Sequence, residues 1–224
     1  WAFRVSPDGA FTPWASGLRS PAGVGLNLDD EVFYTDNQGG YVGTSHLAHV
    51  TKNAFLGHPA SLHWDPAFQG DAAQMSMADL EALRKRPAVF YPHGELGHSP
   101  SQPLWDATAG RFGPFAGQMF VGDQTRSRIN RTSLEKVSGE YQGACHPFRA
   151  GFLSGITRLA FASDGSLFAG QTDRGWGATG GHPFGLQRVA WTSRVPMEIL
   201  SVRLSRTGFD LDFTLPVDPE TAGD

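Results

Sequence analysis

Three segments of this chain repeat one pattern of strand, tight turn and strand. They span residues 24–36, 116–123 and 159–171, and the second matches only the later half of the pattern. Asp164-Gly165 is a strong signal for a hairpin turn, and Asp29-Asp30 stands at the same place in the first segment. Antiparallel units that recur in this way predict a β-propeller, in which each blade is a small four-stranded sheet.

The composition agrees with an all-β fold and excludes several functional classes. The 224 residues include 28 Gly and 15 Pro, and frequent turn residues between short apolar runs favour an all-β class. A net charge of −4 argues against nucleic acid as a partner. No apolar run reaches the roughly 18 residues that a transmembrane helix needs. Cys145 is the single cysteine, so no disulfide can form within the chain.

The repeats indicate a partial propeller over residues 1–195, with about three to four blades. Residues 4–11 form a further hairpin, which we expect to supply outer strands of a neighbouring blade. Because a closed ring usually has more blades, we interpret the chain as a fragment, and assembly with other chains is the alternative.

Two segments depart from the repeat. An insertion is expected at about residues 60–110, where Ser76 and Asp79 form a capping box and Pro87 ends a short helix. Residues 196–224 alternate apolar and polar side chains on both sides of Thr207-Gly208. This pattern predicts a hairpin that begins a C-terminal β-sandwich-like segment.

A short polar tract follows each repeated strand. Because equivalent strands of successive blades point the same way, we expect these tracts to converge on one face of the propeller. Either the polar side chains only cap turns, or they build a polar binding site. The tracts are Asp36-Asn37-Gln38, Asp123-Gln124-Thr125 and Gln171-Thr172-Asp173.

Residues around the first repeat resemble the quinoprotein glucose and sorbosone dehydrogenases, which are six-bladed propellers. Arg19-Ser20-Pro21-Ala22-Gly23 is similar to an Arg-Asn-Pro-Gln-Gly segment whose arginine binds a carboxylate of pyrroloquinoline quinone (PQQ). The loop at residues 36–40 occupies the place of a loop whose backbone carbonyls hold Ca²⁺, and the turn at residues 55–59 also has a counterpart. Ser20 and Ala22 depart from the family pattern, and the proline expected near the metal is absent.

A propeller type from multidomain bacterial proteins, of the membrane-bound dehydrogenase kind and often joined to a c-type cytochrome segment, is similar over longer stretches. The shared stretches are residues 35–39, 94–103, 113–124, 141–145 and 170–177. The resemblance covers roughly residues 1–195. It implies a fold, part of a six-bladed propeller, more firmly than an activity, because one fold hosts many functions.

The resemblance implies a PQQ-dependent oxidoreductase that oxidises a sugar or related alcohol and passes hydride to the quinone with the help of Ca²⁺. A cytochrome c is the implied electron acceptor, and a periplasmic or otherwise exported location is implied as well. The family's catalytic histidine lies upstream of the segment that Arg19 matches, before Trp1, so no catalytic residue is assigned. Gly39 and Gly40 are the expected metal-binding positions, through their carbonyls.

The expected cofactor-binding residues combine this resemblance with residue chemistry. Arginine suits bidentate recognition of carboxylates, and a tryptophan among glycines can stack on a flat cofactor or sugar, although it can also pack between blades. Arg188 lies in a stretch that resembles a late strand feeding the cofactor pocket. The set is Arg19, Ser20, Asp36, Asn37, Gln38, Asp123, Gln124, Asp173, Arg174, Trp176 and Arg188.

Two other functions remain open at this stage. The chain is alternatively a non-catalytic propeller module that binds a glycan or a protein. A third hypothesis is a lactonase-like metal hydrolase that uses Asp36, Asn37, Asp123 and Asp173 around the axis. His46 and His49 would also face one metal if they lay on a helical turn, although loop histidines are the more common case.

Overall fold

The computed structural model describes residues 1–220 and 222. In that part of the chain the structure is mainly antiparallel sheet, as predicted. Its strands are β1 (Ala2–Val5), β2 (Phe11–Ser16), β3 (Pro21–Leu26), β4 (Val32–Asp36), β5 (Ser45–His49), β6 (Ala54–Phe55), β7 (Val89–Tyr91), β8 (Pro100–Trp105), β9 (Met119–Asp123), β10 (Arg128–Val137), β11 (Glu140–Ala150), β12 (Ile156–Phe161), β13 (Leu167–Thr172), β14 (Phe184–Val189), β15 (Ile199–Leu204) and β16 (Phe209–Phe213).

The strands form a partial β-propeller. Blade 1 is the sheet β3-β4-β5-β7, blade 2 is β8-β9-β10-β11, and blade 3 is β12-β13-β14. The first strands of these blades, β3, β8 and β12, lie side by side around the axis. The N-terminal sheet, β1-β2-β6, precedes blade 1, and the hairpin β15-β16 follows blade 3. The predictions of three to four blades and of a C-terminal hairpin are therefore confirmed.

Strand β4 shows why the repeated segments are so apolar. Successive side chains of a strand point to opposite faces, and both faces of blade 1 are covered. Phe33 packs between blades 1 and 2 with Trp105 and Met119. Its neighbour Tyr34 packs on the other face, in a cluster with Ala15 of the N-terminal sheet. The core is thus a series of layers between sheets.

Glycines allow the first strands of neighbouring blades, which are the inner strands of the propeller, to approach each other closely. A Cβ atom on Gly23 would lie 2.2 Å from the Cα of Gln102, and one on Gly25 would lie 2.2 Å from the carbonyl oxygen of Pro103. Any side chain at either position would clash with β8. These two glycines of β3 therefore fix how near blade 1 comes to blade 2 at the axis.

The helical elements lie in the connection between strands β6 and β7. Helix α1 (Met77–Leu83) follows two 3₁₀ turns, Pro59–Trp64 and Ala72–Gln74. The predicted capping box is present, because Ser76 accepts the N–H of Asp79 and Asp79 accepts the N–H of Ser76. Leu80 is buried beneath it with Phe55 and Leu62. Among the described residues, no helix has both the length and the apolar character that crossing a bilayer requires.

One buried side chain in each blade joins the end of the second strand to the start of the first. We call Asp36, Asp123 and Gln171 the anchor residues. Asp36 accepts the backbone N–H groups of Arg19 at 2.8 Å and Ser20 at 2.7 Å, just before β3 begins.

The other two blades repeat this contact. In blade 2, Asp123 accepts the N–H groups of His98 at 2.6 Å and Ser99 at 3.2 Å, just before β8. In blade 3, the amide oxygen of Gln171 accepts the N–H of Ser154 at 2.8 Å, two residues before β12. Each anchor therefore holds the start of the first strand of its blade against the end of the second strand.

Replacing Asp123 by alanine is expected to lower the free energy of unfolding by about 2–4 kcal/mol, because it leaves several backbone donors without an acceptor. Denaturant titration measures this change. Asp173→Ala is the matched control, since Asp173 lies in the equivalent tract but is exposed. An equal loss of stability in both variants would contradict the role of the anchor.

Arg131 joins the C-terminal hairpin to blade 2. Its side chain is only 1% exposed. It donates to the carbonyl oxygens of Ile199 at 2.6 Å and Leu200 at 3.0 Å, and it lies 4.3 Å from the ring centroid of Phe115. Burial lowers the pKa of Arg131 to about 10, which Glu198 partly opposes, so the guanidinium stays charged at neutral pH.

His146 of β11 makes the stability of the fold depend on pH. Burial, helped by the charge of Arg131, lowers the pKa of His146 to about 4 from its usual 6.5. Between these values the unfolded chain binds a proton that the folded chain does not. The stabilising effect is therefore complete above pH 6.5 and is lost as the pH falls towards 4.

His146→Gln is expected to flatten the fall of unfolding free energy between pH 6.5 and 4. Because solvent screens this partly exposed ring, the change stays well below the limiting slope of about 1.4 kcal/mol per pH unit. Denaturant titrations at several pH values measure the slope. His182→Gln, at an exposed position, is the matched control. A slope identical in wild type and His146→Gln would show that His146 titrates normally.

Candidate functional site at the polar face

The loops that carry most of the predicted site residues lie on one face, which we call the polar face. They either leave a second strand or enter a first strand: residues 17–20, 37–44, 92–99, 124–127, 151–155 and 173–183. Direct hydrogen bonds connect them. Thr125 donates to Ser99 at 3.1 Å and accepts the backbone N–H of Thr179 at 2.9 Å, while Ser45 donates to the carbonyl of His98 at 3.4 Å. The structure thus brings the three polar tracts together.

Two of the predicted carboxylates are already occupied by the protein itself. Asp36 accepts four hydrogen bonds, because Tyr34 at 3.3 Å and the N–H of Asn37 at 2.9 Å add to those of Arg19 and Ser20. Asp123 accepts a third bond from the N–H of Arg126 at 2.9 Å. A carboxylate offers about four acceptor positions. Both side chains therefore hold loops in place and have little capacity left for a ligand.

Exposed arginines accompany the exposed carboxylate of Asp173 on this face. Arg126 and Arg174 each lie three residues after the anchor of their blade, and both are exposed. The corresponding position in blade 1 is Gly39, and a Cβ there would lie 2.6 Å from the Cδ of Arg19. Arg19 therefore occupies the space beside this position. Within the described part of the chain, none of these three guanidinium groups has a hydrogen-bond or ion-pair partner.

Arg126 was not among the residues predicted from the sequence. The signal that identifies it is the alignment of the repeats by their anchors, which superimposes Arg126 on Arg174. A pair of histidines lies nearby in loop 92–99, with the ring centroids of His93 and His98 4.2 Å apart. Burial first, and then the charges of His93 and Arg126, lower the pKa of His98. His98 is therefore neutral at pH 7, and Arg126 is a charged group beside it.

A narrow cleft beside Arg19 contains two buried polar atoms without a partner in the described structure, Oδ1 of Asn37 and Nε2 of His46. His46 is 3% exposed, and burial lowers its pKa, so it is neutral at pH 7. The contact of Nδ1 with the carbonyl of Thr44 at 3.4 Å leaves Nε2 as the open acceptor. The cleft has a volume of about 10 Å³, which suits one water molecule or ion.

His46 and His49 do not form the helical metal pair that their spacing permits. Both lie in strand β5, and residues three apart in a strand point to opposite faces. His49 instead stacks on Phe33 at 4.9 Å between ring centroids. Within the described residues, no group of three or more His, Cys, Asp or Glu side chains is placed to hold a metal ion.

Trp176 lies on the polar face and is not packed between blades. Its side chain is 57% exposed. Its indole N–H donates to Thr125 at 2.8 Å, and its carbonyl accepts from Gln124 at 3.3 Å. These contacts attach the blade-3 loop to the blade-2 loop and leave the ring open to solvent.

Arg188 is the predicted site residue that the structure does not bring to this face. It pairs with Phe168, four residues and about 13 Å along β13 from Thr172, where the blade-3 loop begins. There it forms an ion pair with Asp164 at 2.6 Å and donates to Ser166 at 2.8 Å. The resemblance of its stretch to a late strand of the family did not indicate at which end of β14 Arg188 lies.

The remaining predicted positions lie on or beside the polar face. Ser20, Asp173 and Gly40 are exposed, and Gln38 and Gly39 are half-buried. The N–H of Gly39 donates to the carbonyl of Val42 at 2.7 Å, which closes the loop. The roles of these positions in binding stay predictions.

Comparison with known proteins gives structural matches only. No family model matches the chain, and no curated protein sequence does. The PQQ-bound form of an aldose sugar dehydrogenase from Streptomyces coelicolor matches with a TM-score of 0.55 at 15% identity, over 84% of this chain and 51% of that chain. An oxidoreductase (glucose dehydrogenase) from Thermus thermophilus matches with a TM-score of 0.53 at 16% identity, over 80% of this chain and 46% of that one.

A further glucose dehydrogenase structure matches with a TM-score of 0.56 at 16% identity, over 84% of this chain and 49% of that chain. The chain spans about half the length of these proteins. At such identities the matches show the fold, which is the glucose and sorbosone dehydrogenase-like propeller.

Proposed function

We propose that this chain is part of a PQQ-dependent oxidoreductase that oxidises a sugar or a related alcohol. The observation that carries the proposal is a set of three arginines on the polar face whose guanidinium groups are exposed and, among the described residues, unpaired: Arg19, Arg126 and Arg174. Guanidinium groups recognise carboxylates through paired, charge-assisted hydrogen bonds. The fold likeness to sugar dehydrogenases, one of them PQQ-bound, supports the same assignment.

The residues present fit a flat cofactor that carries several carboxylates. The three arginines belong to three different repeats, so they can neutralise carboxylates at separate positions. Gly39 lies against the side chain of Arg19, where a larger residue would displace it. Trp176 offers an open ring face for stacking beside Arg174.

The loop at residues 37–40 is the candidate Ca²⁺ site in this proposal. Ca²⁺ prefers oxygen ligands, including backbone carbonyls and the side-chain oxygen of asparagine. Asn37 supplies a buried Oδ1 atom that has no partner in residues 1–220 and 222, and Gly39 and Gly40 supply carbonyls in the same loop. Asp36 stays with the backbone donors that it already accepts.

When bound, PQQ with Ca²⁺ would supply a polarised quinone that accepts the hydride of the alcohol carbon. The chain's own contribution is to bind and orient the cofactor through its arginines. A periplasmic or otherwise exported location and a cytochrome c acceptor belong to the proposal through resemblance alone.

The hydrogen bonds of the carboxylates argue against the lactonase-like alternative. A hydrolase of that kind needs open carboxylate ligands around the axis. Two of its three carboxylates, Asp36 and Asp123, are engaged by three or more hydrogen bonds each, which leaves only Asp173 open. The PQQ titration described next distinguishes the binding-module alternative from the proposed oxidoreductase.

PQQ titrated into the chain with Ca²⁺ or with a chelator is expected to bind saturably, and more tightly with Ca²⁺. Arg19→Ala, Arg126→Ala and Arg174→Ala should each weaken binding roughly tenfold or more, since each removes a charge-assisted hydrogen-bond partner. Fluorescence quenching and calorimetry both measure the affinity.

Two control variants make the titration specific. Arg206→Ala removes an exposed arginine from the turn between β15 and β16, and Arg188→Ala removes one from the opposite end of blade 3. Both should bind PQQ as the wild type does. A folded chain that does not bind PQQ, or one that loses binding equally in all five variants, would refute the proposed cofactor site.

A further inference from the structure

A second concave surface lies apart from the polar face, between the N-terminal sheet and the first 3₁₀ turn. We call it the Trp64 groove, and its volume is about 680 Å³. This is within the usual size of small-molecule sites. None of the arginines of the polar face lines it. The residues that form its walls are mainly Trp1, Phe3, Trp14, Asn53, Trp64 and Asp65.

Aromatic rings dominate the walls of the groove and are held in place. Trp64 is 73% exposed, and the ring of His63 contacts it edge-on at 4.8 Å between centroids. Trp1 stacks on Phe3 at 6.4 Å, and its indole N–H donates to the carbonyl of Ser61 at 3.1 Å. An exposed tryptophan ring offers a flat apolar platform.

Polar groups beside these rings have unused hydrogen-bonding capacity. Asp65 accepts the N–H of Ala67 at 2.9 Å through Oδ1, while Oδ2 has no partner among the described residues. Asn53 has a positive φ of 63° and donates its backbone N–H to the carbonyl of Trp14 at 2.6 Å. Its side-chain amide has no partner within the described structure. The groove therefore combines ring faces with an open carboxylate and an open amide.

We propose that the Trp64 groove binds a neutral oligosaccharide of several pyranose units. A pyranose ring presents an apolar C–H face, which packs on an aromatic ring, and hydroxyl groups at its edge, which donate to carboxylates and pair with amides. A proline-rich peptide also packs on aromatic grooves, but it has few donors for Asp65. The chemistry of the groove therefore favours a hydroxyl-rich ligand. This site does not depend on the proposed cofactor site.

The test is calorimetric titration of the whole chain with cellohexaose, xylohexaose and chitohexaose. Saturable binding of at least one of them is expected. Trp64→Ala should weaken it about tenfold or more, and Asp65→Asn should weaken it as well. Because Trp64 is largely exposed, its replacement leaves the core intact, and near-ultraviolet circular dichroism verifies this.

Two matched variants separate this groove from other surfaces. Phe184→Ala removes a 74% exposed aromatic ring from β14, and Arg19→Ala changes the polar face. Both should bind the hexasaccharide with unchanged affinity. The proposal is overturned if Trp64→Ala binds as well as wild type, if Arg19→Ala abolishes binding, or if the folded chain binds none of the three sugars. Binding of a proline-rich peptide alone, lost in Trp64→Ala, would also overturn it.

Discussion

The propeller depends on one contact, a buried side-chain oxygen that accepts the backbone donors at the entry of each inner strand. Asp36, Asp123 and Gln171 make this contact in successive blades. Burying a carboxylate is costly unless its oxygens are well bonded, and here backbone N–H groups satisfy them. Each inner strand therefore starts at a fixed place relative to its neighbour. The loops that follow the anchors then project from equivalent positions on the polar face.

This contact also decides which residues of the polar face remain available for a ligand. The anchors use their own oxygens internally, so of the acidic residues in the three tracts only Asp173 is exposed. Three residues after the anchor, blades 2 and 3 each expose an arginine on the polar face. In blade 1 a glycine takes that position, and the space beside it is filled by Arg19, which enters from the preceding loop. The same structural repeat thus places an arginine on the polar face of each blade, either after the anchor or from the loop before the first strand.

Local features of this fold are readable from the sequence, and tertiary ones are not. The hairpins, the capping box at Ser76 and the convergence of the polar tracts depend on short-range patterns and on the repeat. The sequence does not tell which way Asp36 points, because a turn cap and a ligand look alike there. Arg131 lies in a strand whose pattern gives no sign that it ends beneath a distant hairpin. The Trp64 groove combines residues 1–16 with 53–67, and only the folded chain brings these together.

The polar face and the Trp64 groove are connected through the first 3₁₀ turn. Ser61 accepts the N–H of Gly17 at 2.6 Å through its hydroxyl, and its carbonyl accepts the indole of Trp1. The N–H of His58 donates to the carbonyl of Gly17 at 2.8 Å. Gly17 has a φ of +84°, and a Cβ there would lie 2.5 Å from the backbone nitrogen of Leu56, so only glycine fits. The loop that carries Arg19 and the turn that carries Trp64 are therefore joined by direct hydrogen bonds at Gly17, while the side chains that form the two surfaces stay separate.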